Sequence, residues 1–186
     1  MNFNEHGSFV GKHALLSPSD YHWINYDEEK LRRVFFTRMQ AQRGVELHEL
    51  AHQAIRLRVR FPDEPTTLNL YVNDAIGYRM TPEVTLVHSE NCFGHADTVG
   101  FNNNRLRIHD LKTGNHEASF HQLEVYAALF CLEYGFKPFD IETELRIYQN
   151  NEVRVYNPEA DVLYHIIDRI RTFDKLLKYL REEATS

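Results

Sequence analysis

Near residue 80 the spacing of apolar residues changes from about 3.6 to two, and this change constrains the fold more than any other feature. Upstream, Val45, Leu47, Ala51, Ala54, Ile55 and Val59 recur at helical intervals. Downstream, Val84, Leu86 and His88 alternate with Glu83, Thr85 and Val87, the period of a strand with two unlike faces. Punctuation supplies the boundaries. Ser17-Pro18-Ser19 marks an irregular N-terminal stretch, and helices are expected from about Asp27 to Gln40 and from about Gly44 to Arg60, the second stopped by Pro62. Thr66 or Thr67 caps a short helix through Ala75 that ends near Gly77. The strand from Glu83 stops at Asn91; Phe93–Phe101 and Arg105–Leu111 follow, joined by Asn102-Asn103-Asn104. Ser119–Tyr134 reads as a helix closed by Gly135 and Pro138. Ile141–Tyr148 and Val153–Val155 are strands turned at Asn150-Asn151. A last helix runs from Pro158 to about Glu183, with Leu163, Ile166, Ile167, Ile170, Phe173, Leu176, Leu177 and Leu180 on its core side. The order α-α-α-β-β-β-α-β-β-α implies an α/β protein with one mixed sheet flanked by helices. No repeat or linker interrupts it, so residues 1–186 are expected to form one domain: helices 1–80, sheet and helix 81–156, and a C-terminal helix 157–186.

A chain of 186 residues with 42% hydrophobic and 26% charged content can bury a core without staples. No apolar run approaches the ~18 residues of a membrane span. Met1–His6 lacks the basic and apolar regions of a secretory signal. Cys92 and Cys131 are the only cysteines, too few for a disulfide framework or a four-thiolate cluster, and a reducing, cytoplasmic setting is expected. The net charge of −6 argues against coating nucleic acid by bulk electrostatics. Its distribution is uneven: residues 1–60 carry nine Lys/Arg against seven Asp/Glu, and the remainder twelve against twenty. A phosphate-binding surface would draw on the first third, where Arg32, Arg33, Arg38, Arg43, Arg56, Arg58 and Arg60 lie; taken singly, each is more simply a solvated helix charge.

Four short motifs carry the chemistry: Gly44-Val-Glu-Leu-His48, Gly94-His-Ala-Asp97, Asp110-Leu-Lys112-Thr-Gly114, and Gln122 with Tyr126. Their order and spacing over residues 44–135 resemble the PD-(D/E)XK nuclease superfamily, and within it the RecB-like branch. The resemblance implies a restriction-endonuclease-like core and a divalent-metal-dependent deoxyribonuclease, with Asp97, Asp110, Lys112, Gln122 and Tyr126 as catalytic positions. Ala96 stands where the superfamily's name has proline, and Asp110 where many members have Glu; both variations are common in this branch.

The physical reading agrees. Carboxylates of Asp97 and Asp110 on adjacent antiparallel strands can converge on one ion, and Asp110 and Lys112 point to the same face. Leu111 points into the core, leaving its backbone carbonyl as a further ligand. Gln122 and Tyr126 share a helix face. His48 completes an oxygen-rich set with one imidazole, suited to Mg²⁺ or Mn²⁺. Glu83 stands where relatives sometimes carry an acid. His95 and His109 read as neighbours of the site rather than ligands.

Two other readings compete. His48-Glu49-Leu50-Ala51-His52 is a His-Glu-x-x-His string, the signature of a zinc metallopeptidase with Glu49 as general base, although no third ligand is evident downstream. His109-Asp110 evokes a phosphohydrolase dyad whose partners are missing. A catalytically inactive DNA-binding member of the fold is the third class. The nuclease accounts for Asp97, Asp110, Lys112, Gln122 and Tyr126 together, which the peptidase leaves to coincidence. What the resemblance implies is an exonuclease acting on single- or double-stranded DNA ends in recombination, repair or phage DNA processing. No iron–sulfur cluster and no ATP are expected, since four cysteines and a phosphate-binding Gly-rich loop are lacking. The acidic balance implies a local basic groove (Arg43, Arg56, Arg58 and Arg60), or help from a recombination or replication partner or a second copy of the chain.

Overall fold

The computed structural model describes residues 6–114 and 116–185; residues 1–5, which belong to the stretch read above for a signal, lie outside them. The chain divides into two compact units, one ending at Val45 and one beginning at Glu46. The first holds two 3-10 segments, Gly7–Phe9 and Pro18–Asn25, and the start of helix α1 (Glu28–Leu57). Asp27 Oδ1 accepts the Lys30 N–H at 2.7 Å, satisfying one of the free donors of the helix start. Where two helices were expected, α1 is continuous. A single glycine costs only about 1 kcal/mol in a helix, and Gly44 follows strong helix formers with no proline between.

In the second unit α1 ends at Leu57, before Pro62. Arg58 takes φ 56°, its N–H bonds the Ile55 carbonyl, and Val59 N–H bonds that of Ala54 at 2.9 Å. This left-handed closure satisfies carbonyls that a bare terminus would leave open. It puts Arg58 and Arg60 beyond the helix. Helix α2 (Thr67–Gly77) closes likewise at Arg79, φ 58°, with Met80 N–H on the Ala75 carbonyl.

Strands β1 (Thr81–Ser89), β2 (Cys92–Asn102), β3 (Arg105–Leu111), β4 (Glu142–Gln149) and β5 (Glu152–Tyr156) form one sheet in chain order. Neighbours are antiparallel except β3 and β4, which are parallel and joined through helix α3 (His121–Tyr134). Both asparagine turns hold consecutive residues at positive φ, Asn103–Asn104 and Asn150–Asn151, as two-residue hairpin loops require. The architecture is therefore mixed α/β, a five-stranded mixed sheet flanked by helices.

One face of the sheet packs Leu86, Ile108, Leu145 and Ile147 against Leu123 and Ala127 of α3. The other packs Leu111 and Tyr148 against Ala51 and Ile55 of α1 and Tyr71, Val72 and Ala75 of α2. Helix α4 (Ala160–Thr185) buries Leu163 and Ile167, with Ile166 and Ile170 partly covered. The rest of its expected core face, Phe173, Leu176, Leu177 and Leu180, is exposed. Length explains the difference: at about 1.5 Å per residue α4 outruns the 14-residue α3 on which it packs. Among the described residues no helix is long and apolar enough to cross a membrane.

Candidate metal and catalytic site

His48, Asp97, Asp110, Lys112, Gln122 and Tyr126, the chemistry-bearing residues of the four motifs, all lie in the second unit. The β2–β3 ladder pairs Thr98 with His109, and the same register carried one step further sets Asp97 opposite Asp110. There Asp97 Oδ2 accepts the Leu111 N–H at 2.9 Å. The Leu111 amide thus anchors the carboxylate that its carbonyl was expected to join as co-ligand.

Strand β2 changes face just at this point. A Cβ on Gly94 would meet Tyr126 of α3, whereas one on Gly100 would meet Met80, which packs on the α1–α2 side. Residues six apart in a regular strand share a face. These two do not, so the pleat slips between them. Opposite Asp97, Glu83 of β1 adopts φ 53°. A left-handed Glu within a strand costs on the order of 1–3 kcal/mol and marks a position whose side-chain aim matters. Glu83 is aimed at α1: Oε1 lies 3.1 Å from His52 Nδ1, and Oε2 pairs with Arg56.

His48, His52 and Asp97 each offer a donor atom within 4.8 Å of the other two. His48 Nδ1 lies 3.5 Å from Asp97 Oδ2, and this contact holds the imidazole above its ordinary pKa against the opposing effect of burial. Burial pushes the Asp97 carboxyl up, but the His48 contact, the Leu111 amide and the charge of His52 together keep it below the usual value. Burial and the neighbouring Asp97 charge raise Asp110, against the pull of Lys112. Lys112 Nζ lies 3.0 Å from Asp110 Oδ2, but the geometry is not that of a hydrogen bond and Oδ2 remains a buried acceptor without a donor. The ammonium instead donates to Gln122 Oε1 at 3.0 Å. Gln122 Nε2 donates to the Tyr126 hydroxyl, which donates to the His95 carbonyl at 2.7 Å. Gly94 is required here, since a Cβ would stand 2.8 Å from the Tyr126 ring.

The structure therefore gathers His48, Asp97, Asp110, Lys112, Gln122 and Tyr126, as the motifs implied. Glu83, a possible further acid from the sequence, stands beside them, and with it come His52 and, through Glu83, Arg56. The Tyr71 hydroxyl is buried beside them without a hydrogen-bond partner, and burial with the charges of Asp97 and Asp110 holds it well above its ordinary pKa. The i, i+4 spacing of His48 and His52 was the available signal for His52; for Tyr71 the sequence carried none. His95 bonds Thr85 at 2.8 Å. His109 is buried on the α2 side, its Nδ1 3.2 Å from the Tyr148 hydroxyl.

Of the arginines assigned to phosphate, Arg56 is paired with Glu83 rather than free. Arg60 stands near Gly77, and Arg43 belongs to the first unit. Glu49, the general base of the peptidase reading, is exposed and accepts from Gln53 at 2.7 Å on its own helix. No protein-family model, curated protein or solved structure matches this chain.

Proposed function

We propose that this protein is a divalent-metal-dependent deoxyribonuclease that hydrolyses phosphodiester bonds, with a core of the PD-(D/E)XK type. The observation that carries the reading is the convergence of Asp97, Asp110, Lys112 and Gln122 where β2, β3 and α3 meet. Its order of elements, three antiparallel strands, a crossover helix and a parallel fourth strand, carries the last three motifs in sequence, and the first lies on α1.

The donor set fits a cation. Buried Asp110 Oδ2 has only the Lys112 ammonium beside it, His52 Nε2 has no hydrogen-bond partner among the described residues, and donor atoms of His48, His52 and Asp97 already cluster. Asp97, Asp110 and His48 would hold the metal, which when bound lowers the pKa of water and offsets charge on a phosphate. The protein groups do the rest. Asp97 is fixed in place by the Leu111 amide. Lys112 is aimed by Gln122, so its ammonium can orient the attacking water or stabilise negative charge developing on the phosphoryl oxygens. Tyr126 locks Gln122 through its tie to the β2 backbone.

The substrate in this proposal is DNA, with action at ends following the RecB-like resemblance. End-labelled linear and circular DNA, single- and double-stranded, incubated with Mn²⁺ or Mg²⁺ tests both statements. Linear DNA should disappear while circles survive. Asp110→Asn and Lys112→Ala should each lower the rate at least ~10²-fold, and Glu49→Ala should leave it near the parental rate. An inactive parent, or Asp110→Asn at the parental rate, would overturn the proposal.

A further inference from the structure

We infer that His52, oriented by Glu83, is a further metal ligand, so that the cation pocket sets two imidazoles, His48 and His52, beside the carboxylates of Asp97 and Asp110. The inference rests on reading this pocket as a cation site, as proposed above, but not on phosphodiester chemistry. His52 is only 6% exposed, its Nδ1 faces Glu83 Oε1 at 3.1 Å, and its Nε2 has no hydrogen-bond partner among the described residues. A buried ring nitrogen left idle is costly unless the site supplies the missing partner. Its surroundings suit a cation: donor atoms of His48, His52 and Asp97 all lie within 4.8 Å of one another, close enough to share one ion.

Glu83 gives the second, independent observation. It accepts left-handed φ inside a strand, and its Oε1 stands 3.1 Å from His52 Nδ1 while Arg56 holds its other oxygen. A carboxylate behind one ring nitrogen fixes the ring and leaves the other, Nε2, to the metal. Glu83 is thus a positioning residue, and Arg56 keeps the pocket from carrying one more uncompensated negative charge. A second imidazole nitrogen in the set favours Mn²⁺ or Co²⁺ over Mg²⁺, which prefers oxygen and keeps its waters.

Calorimetric titration of the metal-free protein with MnCl₂ and with MgCl₂ tests this. Mn²⁺ should bind the parent at least ~10-fold more tightly than Mg²⁺. His52→Gln should lower Mn²⁺ affinity by ~10–100-fold and bring the two metals together, and Glu83→Gln should lower it about 10-fold. Glu49→Ala, in the same histidine string but exposed, should bind as the parent does. Circular dichroism reports folding; if His52→Gln does not fold, Glu83→Gln decides. Parental affinity and metal preference in the folded variants would overturn the assignment, as would equal binding of both metals by the parent. DNA hydrolysis in the same samples separates the two proposals. An active parent with Mn²⁺ binding unchanged in His52→Gln removes His52 and leaves the nuclease. Mn²⁺ binding lost in His52→Gln, with no hydrolysis by the parent, upholds His52 and removes the nuclease.

Discussion

Two buried histidines, His52 and His109, lie in the same unit and differ in what surrounds them. His52 faces Glu83, His48 and Asp97, with carboxylates whose charge is only partly answered. His109 faces the rings of Tyr78 and Tyr148 and the guanidinium groups of Arg107 and Arg146. Carboxylates are present there too, but they are spoken for. Arg146 donates to Asp74 at 2.9 Å and to Glu144 at 3.0 Å, Arg107 donates to Glu144 at 3.1 Å, and the Tyr148 hydroxyl donates to Asp74 at 2.7 Å. Burial alone therefore does not make a histidine a ligand; the sign of the uncompensated charge around it decides. The His52 region is short of cations and the His109 region has its own.

The largest expected effect tests the closed network. Arg146→Met takes a charged donor from both Glu144 and Asp74, leaving Arg107 on the first and only the Tyr148 hydroxyl on the second, and a half-broken buried ion network costs several kcal/mol. Asp74 keeps contact with water, so the expected loss is roughly 2–3 kcal/mol in urea unfolding. Mn²⁺ affinity should be unchanged. A fall in metal binding as large as that of His52→Gln would show that the two regions are one coupled unit and erase the contrast.

Next comes the open pocket. With Mn²⁺ at about a hundred times its dissociation constant, the folded parent should gain roughly 2.7 kcal/mol, reversed by EDTA. His109→Phe should gain the same, and His52→Gln at that Mn²⁺ concentration much less. Equal gains in all three would mean that the cation binds elsewhere.

The contrast also explains what the sequence made legible. Strand alternation and asparagine turns fix the meander, because a single shift in period and two residues tolerant of positive φ leave few alternatives. Asp97, Asp110, Lys112, Gln122 and Tyr126 stood out through the resemblance, and spacing added only that Asp110 and Lys112 share a strand face and Gln122 and Tyr126 a helix face. The continuity of α1 was not, since Gly44 looks like a break and costs too little to be one. The exposed half of α4 was hidden as well: apolar periodicity says which face is apolar and not how far a partner helix extends. Glu83 was the least legible. Its aim depends on a pleat slip and a left-handed backbone, which alternation assumes away. His52 was visible within a motif whose usual meaning, a peptidase, requires Glu49 on the metal side; in the structure Glu49 turns to Gln53 instead.

The smallest expected effect is a slope. Burial, then the charges of Arg146 and Arg107, hold the His109 pKa well below its ordinary value of 6.5. Above pH 6.5 the ring is neutral folded or unfolded and contributes nothing to pH dependence. As pH falls below 6.5 the unfolded chain binds a proton that the folded ring refuses, so stability drops, by at most about 1.4 kcal/mol per pH unit, until the folded pKa is reached. His48 acts in the opposite window. Its raised pKa gives stability that is complete below 6.5 and lost as pH climbs through the folded value. Urea unfolding of the parent and His109→Phe in EDTA, from pH 5.5 to 8, separates them. The difference between the two proteins should be flat above 6.5 and turn in favour of His109→Phe below it, where Phe has no proton to refuse. A difference that also slopes above 6.5 would mean that His109 titrates with His48, and that the arginines beside it do not isolate it from the anionic pocket one strand position away.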